Sequence, residues 1–274
     1  MKILNYHIDS SLNIFRHFIL FFLFISQLFF VKVSISESEL KDNTQTEEKG
    51  TLSVFSFLSN YKASYEVYYD NDLVGTTNET LTSNDGEWKL QINAKVKKLF
   101  FKVKSKEFSE FQIQQGKLIA QRFYSKTEMT FKKDKIIEQV FDWKNNVETG
   151  TYKGKSWRIP IEKQLFDRMS HTIQLRKDLY HADKENIIAS FPLKYLISQK
   201  GKTEIYLYEF VGEEELLTTF GKYRAIELQR TKPNGDKFSI WFSPKLDYFP
   251  IKISQKEKDK TEVFFLIKNL SKTE

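Results

Sequence analysis

The sequence predicts a mainly-β protein: a curved antiparallel sheet forming a half-barrel or open barrel, with one central helix against its concave face. Three observations predict it. Apolar and polar residues alternate with period two along several runs. Gly- and Asn-containing turn signals separate those runs. One stretch near the middle changes to helical spacing. Many short strands joined by hairpins bury a common face by curling around it, and any edge left open needs closure or cover.

The elements follow in order. Tyr61, Ala63, Tyr65, Val67 and Tyr69 form an alternating aromatic and aliphatic row suited to a strand. Asn84-Asp85-Gly86 marks a turn before a second row, Trp88, Leu90, Ile92, Ala94 and Val96, which alternates with Lys89, Gln91, Asn93 and Lys95. Gln115-Gly116-Lys117 follows the Phe108–Ile113 segment as another turn. Leu165, Met169, Ile173, Arg176 and Tyr180 then recur at helical spacing, and Asp167 stands as N-cap or first-turn acid of a helix of three to four turns. After it, Pro233-Asn234-Gly235-Asp236 predicts a type I′ hairpin between strands Tyr223–Arg230 and Phe238–Phe242. Phe249, Ile251 and Ile253, and then Val263, Phe265 and Ile267, complete the pattern; Pro250 marks a strand start or an edge. The helix thus divides two blocks of four or five strands each.

Ahead of these elements lies an uncharged apolar run, Phe18 to Val31, with Arg16 before it and Lys32 after it. It is shorter than the roughly 20 apolar residues of a comfortable bilayer span. With Ser34-Ile35-Ser36 as a small-x-small cleavage site, residues 1–36 predict a secretory signal peptide, with an uncleaved N-terminal anchor as the alternative. Residues 37–58 predict a flexible linker, and 59–274 a single β domain. The expected location is the periplasm, the alternative the inner membrane.

Composition narrows the function. The chain has no cysteine, which removes disulfides, thiol catalysis, zinc-thiolate sites and an N-terminal lipid-bearing Cys. The formal charge of +7 falls to +5 without the leader, and only seven of the 43 basic residues are Arg. Base readout and bidentate phosphate gripping favour Arg, so the pattern predicts no nucleic-acid partner. Scattered lysine fits a solvated face or weak attraction to anionic head groups, which makes peripheral membrane contact an expectation beside anchoring.

Five stretches resemble the bacterial envelope family known as domain of unknown function 3108. They are Val140-Phe141-Asp142-Trp143, Gly150-Thr151-Tyr152-Lys153-Gly154-Lys155, Asp167-Arg168-Met169-Ser170 with Gln174-Leu175-Arg176, Thr219 to Ala225, and Trp241 to Ile251. They stand in family order across about residues 61 to 270. The resemblance implies an exported, mostly antiparallel domain of Gram-negative bacteria, akin in fold to the half-barrels of the lipoprotein-localisation carriers. It brings no catalytic residue with it.

The same motifs have a physical reading. Asp142, between two aromatics, ties backbone amides at a strand end; Pro244 stops a strand, and Gly221 serves a turn. Beyond the leader the histidines are His171 and His181, which ten helical residues separate by about 15 Å, so no shared metal site is expected. Ser170 and His171 are helical neighbours that do not face each other, and no phosphate loop, dinucleotide fingerprint or Gly-x-Ser-x-Gly occurs. No cofactor is predicted. Glu213-Glu214-Glu215 is expected as solvated charge in a hairpin turn after Gly212. The expected function is non-enzymatic binding or carriage of a lipid-like or apolar envelope ligand, with Phe101, Phe123, Trp143, Trp241 and Tyr248 as candidate lining residues. Alternatives are a structural or interaction protein of the envelope with a filled core and a protein partner, and, ranked last, a carboxylate-based glycan hydrolase.

Overall fold

The computed structural model describes residues 54–182, 187–258 and 261–273, all within one compact unit, Lys49–Glu274. The predicted leader and most of the predicted linker lie outside the described residues. Val54–Leu58, which the composition assigns to the linker, instead fold onto the domain: Phe55 and Phe57 are buried, and Phe57 packs on Tyr180 at 5.3 Å between ring centres.

Eight strands precede the helix: β1 Tyr61–Tyr69, β2 Asp72–Asn84, β3 Glu87–Lys98, β4 Phe101–Gln114, β5 Lys117–Met129, β6 Lys132–Asp142, β7 Val147–Tyr152 and β8 Lys155–Pro160. Six follow it: β9 Leu193–Ser198, β10 Thr203–Thr218, β11 Gly221–Thr231, β12 Lys237–Ser243, β13 Phe249–Lys256 and β14 Glu262–Lys272. All fourteen form one sheet in the order β8-β7-β6-β5-β4-β3-β2-β1-β14-β13-β12-β11-β10-β9. The pairings are antiparallel throughout, so the mainly-β open half-barrel read from the sequence is the observed architecture. The eight and six strands exceed the expected four or five per block; in the first block β7 and β8 are short and polar and show little alternation.

Turns fall alternately at two ends of the sheet. The lower end carries the β1–β2, β3–β4, β5–β6, β7–β8, β9–β10, β11–β12 and β13–β14 connections, and the upper end carries the others. Asp85-Gly86 and Gln115-Gly116 have positive φ at both residues, as tight hairpins require. Asn234-Gly235 departs from the predicted type I′ turn. Only Gly235 has positive φ, and its amide donates to Lys232 O at 2.8 Å, because Pro233 holds a type I geometry ahead of the glycine. The acidic triplet also departs from expectation: Glu213–Glu215 lie inside β10, paired with β11, and the turn comes later.

The helix, α1, spans Ser170–His181. Leu165 and Met169, assigned to it by spacing, precede it in a strap that leaves β8, and Phe166 forms a parallel bridge with Ile197 of β9. Asp167 is therefore neither N-cap nor first-turn acid. It sits two residues before the cap position, Met169, yet its carboxylate accepts the amides of Met169 at 2.7 Å and Ser170 at 3.0 Å. Pro250 is the second residue of β13, an inner strand of the sheet, so it marks a strand start and not an edge.

The concave face closes around α1. Ile173, Leu175 and Leu179 are almost wholly buried, which contributes roughly 1.5–3 kcal/mol each. At the upper end Arg176 lies over the rings of Phe57 (5.0 Å), Phe249 (4.9 Å) and Tyr61 (5.9 Å), while Tyr61 donates to buried Glu79 at 2.6 Å. Truncating Leu175 to Ala is expected to cost about 3 kcal/mol and to lower the melting temperature by roughly 6–12 °C, measured by circular dichroism. An unchanged melting temperature would mean that the helix is not part of the cooperative core.

Candidate functional site

The two terminal strands, β8 and β9, are not paired with one another in the sheet order. Side chains and the strap hold this seam instead. Phe166 N donates to Leu196 O at 3.0 Å, and Ser198 N donates to Phe166 O at 2.7 Å. Beside them Glu148 of β7, fully buried, accepts from Ser198 Oγ at 2.5 Å, Trp157 Nε1 at 2.7 Å and Gln139 Nε2 at 3.1 Å. Gln139 also donates to Ser198 Oγ at 3.1 Å. Three neutral donors from β6, β8 and β9 thus satisfy one carboxylate across the seam.

Glycines make this closeness feasible. A Cβ on Gly150 would come within 2.2 Å of the Trp157 ring, and one on Gly201 within 2.6 Å. Gly201 also has φ of 78°, a left-handed turn conformation.

A cleft of about 350 Å³ opens along the seam. Ile159, Pro160, Leu165 and Leu196 give it an apolar wall, Glu162 and Lys163 a charged lip, and Gly201 and Thr203 its other boundary. Behind Leu165 lies a buried cluster of Ala120, Phe141 and Ile161, against which Trp143 and Leu196 pack.

Cations gather beside the seam, from the interior out to the β7–β8 and β9–β10 turns. Arg168 pairs with buried Glu107, stands over the Phe123 ring at 5.1 Å and donates to Ser125 Oγ at 3.2 Å. Lys135 is buried with no hydrogen-bond partner for Nζ. Lys200 and Lys153 flank the Tyr152 ring at 4.6 and 5.2 Å. Burial first, and then the neighbouring charges of Arg168, Lys135 and Lys153, pull Lys200 down to about 7. Burial first, and then Lys153 and Lys132, pull Lys135 down to about 8. His171 donates or accepts at Tyr208 Oη (3.0 Å), and burial, reinforced by Arg230, keeps it neutral with a pKa of about 3. Asp167, held by Ser109 at 2.6 Å, is shifted upward by burial.

The five lining candidates do not converge. Trp143 packs on the cluster behind the cleft and donates to Ala120 O at 2.5 Å. Phe123 lies under Arg168 in the interior. Phe101 is in the β3–β4 hairpin against Phe100, and Tyr248 is buried in the upper turn before β13. Trp241 bonds Glu214 at 2.5 Å and lies under Lys252. None is among the residues that bound the cleft. The structural candidates have defined places. Asp142 accepts Asn145 N at 3.1 Å in the β6–β7 turn, Pro244 opens a 3-10 turn after β12, and Gly221 (φ 142°) starts β11. Glu148, Trp157, Arg168, Lys135 and Lys200 were not singled out by sequence reasoning. Trp157 and Glu148 carry no pattern of their own, whereas Tyr152, Lys153 and Arg168 fall inside the motifs that carried the resemblance.

Among the described residues no group of three or more His, Cys, Asp or Glu side chains is placed to hold a metal, and no helix is long and apolar enough to cross a membrane. The sequence profile of the family described as "Protein of unknown function (DUF3108)" matches residues 64–266. The chain belongs to that family. A β-barrel-like protein of domain of unknown function 1849 from Brucella abortus is similar in structure at 8% identity, covering 79% of this chain and 99% of its own, with a TM-score of 0.54. That likeness supports the DUF3108 chain's barrel-like fold and nothing finer. Two others are more distant. A protein from Parabacteroides distasonis assigned as a lipoprotein (9% identity, 78% and 96% covered) has a TM-score of 0.32. One from Bacteroides fragilis assigned as exported, with a YmcC-like fold (9%, 78% and 97%), has a TM-score of 0.30. Scores that low carry no structural argument. No curated protein matches the chain.

Two outcomes are expected. Glu148→Ala removes the acceptor shared by Ser198, Trp157 and Gln139 and should cost about 3 kcal/mol in urea unfolding, with amide exchange rising first in β8 and β9. Loss spread evenly over the sheet would contradict a seam role. The second concerns pH. Lys200 releases its proton near 7 when folded and near 10.5 when unfolded, so between those values the unfolded chain holds more protons and stability rises with pH. Lys200→Met should flatten the rise in unfolding free energy between about pH 7 and 10; an unaltered slope would place the lysine in solvent.

Proposed function

We propose that this DUF3108 protein is a non-enzymatic, exported envelope protein that binds an amphiphile at the β8–β9 seam, its apolar part in the cleft and an anionic group toward the cations beside it. The single observation that carries this is the cleft itself. Its volume falls in the range of small-ligand sites, its inner wall is aliphatic, and Gly201 at its boundary adjoins Lys200. A fatty or lipid-like molecule suits that division between aliphatic wall and lysine. The leader pattern supports export to the periplasm.

The filled space around α1 supports the second reading, a structural protein with a packed core. Leu175 and Ile173 occupy what an empty half-barrel would offer a ligand. A paired-carboxylate hydrolase draws less support, because Glu162 is the one acid bordering the cleft.

Native mass spectrometry of the protein isolated from a Gram-negative host, before and after organic extraction, tests the proposal. The expected result is an extractable amphiphile at about one per chain. Leu196→Trp, which fills the cleft, should reduce its occupancy at least tenfold. A ligand-free mass, together with no binding of a fluorescent fatty acid, would overturn the carrier reading and leave the structural one.

A further inference from the structure

Four large apolar side chains stand in solvent at the lower end of neighbouring strands. Leu73 follows the β1–β2 turn and is 58% exposed; Leu99 and Phe100 form the β3–β4 turn at 66% and 64%; Phe131 forms the β5–β6 turn at 86%. Strands lie about 4.8 Å apart, so the latter two turns are about 10 Å from each other. They are tied together. Thr130 N donates to Lys102 O at 3.1 Å, and Lys102 N donates to Thr130 Oγ1 at 2.9 Å. Phe100 and Phe101 touch at 4.2 Å between ring centres.

The backbone at these tips is costly for the residues it carries. Leu99 and Phe131 have φ of 55° and 61°, a region that large side chains rarely enter. The other described lower turns place polar residues or glycine at positive φ: Asp70 and Asn71, Lys153 and Gly154, Lys200 and Gly201, and Gly235. Folding alone therefore offers no reason for Leu and Phe at the two tips, and their exposure removes packing as a reason.

Charge indicates the partner. Lys97, Lys102, Lys132 and Lys133 are exposed beside the tips. Of the nearby acids, Asp72 and Asp134 are engaged with Lys98 and Lys126, and Asp70 is exposed in the β1–β2 turn, so lysines outnumber the acids along this rim. At the opposite end the same strands turn through Asp85-Gly86, Gln115-Gly116 and Lys144-Asn145-Asn146, with no apolar tip. Apolar points framed by lysine fit a bilayer that presents negative head groups over acyl chains: the tips enter the interface and the lysines remain at phosphate level. We propose that the lower hairpin rim is a docking surface for an anionic lipid membrane, with Phe131 and the Leu99-Phe100 pair as the inserting tips.

The absence of cysteine provides a direct test. Phe131→Cys in the full chain accepts a single environment-sensitive fluorophore, and Lys144→Cys places the same probe at the opposite end. Vesicles of phosphatidylethanolamine with phosphatidylglycerol should raise the Phe131→Cys signal several-fold and shift it to the blue. The signal should fall with added salt and with phosphatidylcholine alone, and the Lys144→Cys probe should stay unchanged. Phe100→Cys serves as a second reporter if the first variant folds poorly. Equal response at both ends, or none at either rim position, would overturn the proposal, including the case in which the N-terminal apolar segment alone holds the protein on the vesicle. A probe silent to vesicles but quenched by an envelope protein would assign the rim to a protein partner and would also overturn it. Occupancy of the seam cleft does not enter this readout, so the two proposals fail separately.

Discussion

Glu148 occupies the position on which the architecture turns. A long antiparallel meander can curl until its ends meet, but β8 and β9 do not exchange a ladder of backbone hydrogen bonds. The chain solves the open edge with a strap through Phe166 and a buried carboxylate that three strands address at once. Removing the carboxyl group takes the acceptor from Ser198 and Trp157, while removing the donors leaves a buried acid unsatisfied. Either loss is larger than the net value of an ordinary hydrogen bond. The strap in turn delivers Asp167 to Ser109 and fixes the start of α1, so the seam and the filling of the concave face depend on each other.

Much of this was legible in the residues. Alternation along Trp88–Val96 and Tyr61–Tyr69 gives strands because one face of each is buried against the interior. The boundary errors have physical causes. Leu165 and Met169 follow helical spacing because both are buried, yet they are buried by the strap's descent between β5 and β9 and not by a helix face. Glu213–Glu215 resemble a turn because β10 exposes them over much of its length. The candidate site was scarcely legible. Glu148 and Ser198 meet across 50 residues, and neither has a local pattern that announces the other. Aromatic size, the criterion for the five lining candidates, selects core residues and surface pairs as readily as cleft walls.

The distribution of polarity separates the two ends of the half-barrel. The upper end is sealed by aromatic rings around Arg176, the β1 start and the residues before it. Below α1 the interior becomes rich in hydroxyls and cations, with Ser105, Ser125, Thr127 and Lys135 facing inward along neighbouring strands. Such an interior costs stability unless its charges find partners, and Lys135 has none. The core therefore gives up some stability in its lower half, where the cations cluster.

The pairing of β1 with β14 has a kinetic consequence. Lys62 lies opposite Ser271, 209 residues further on, and this ladder joins the two halves of the sheet. Closing so long a loop precedes any reward from the contact, so the final assembly of the domain is slow and awaits the last strand. Until then each half exposes strand edges and apolar faces that need protection from aggregation. The two halves of the sheet thus owe their union to one of the most distant contacts in the chain.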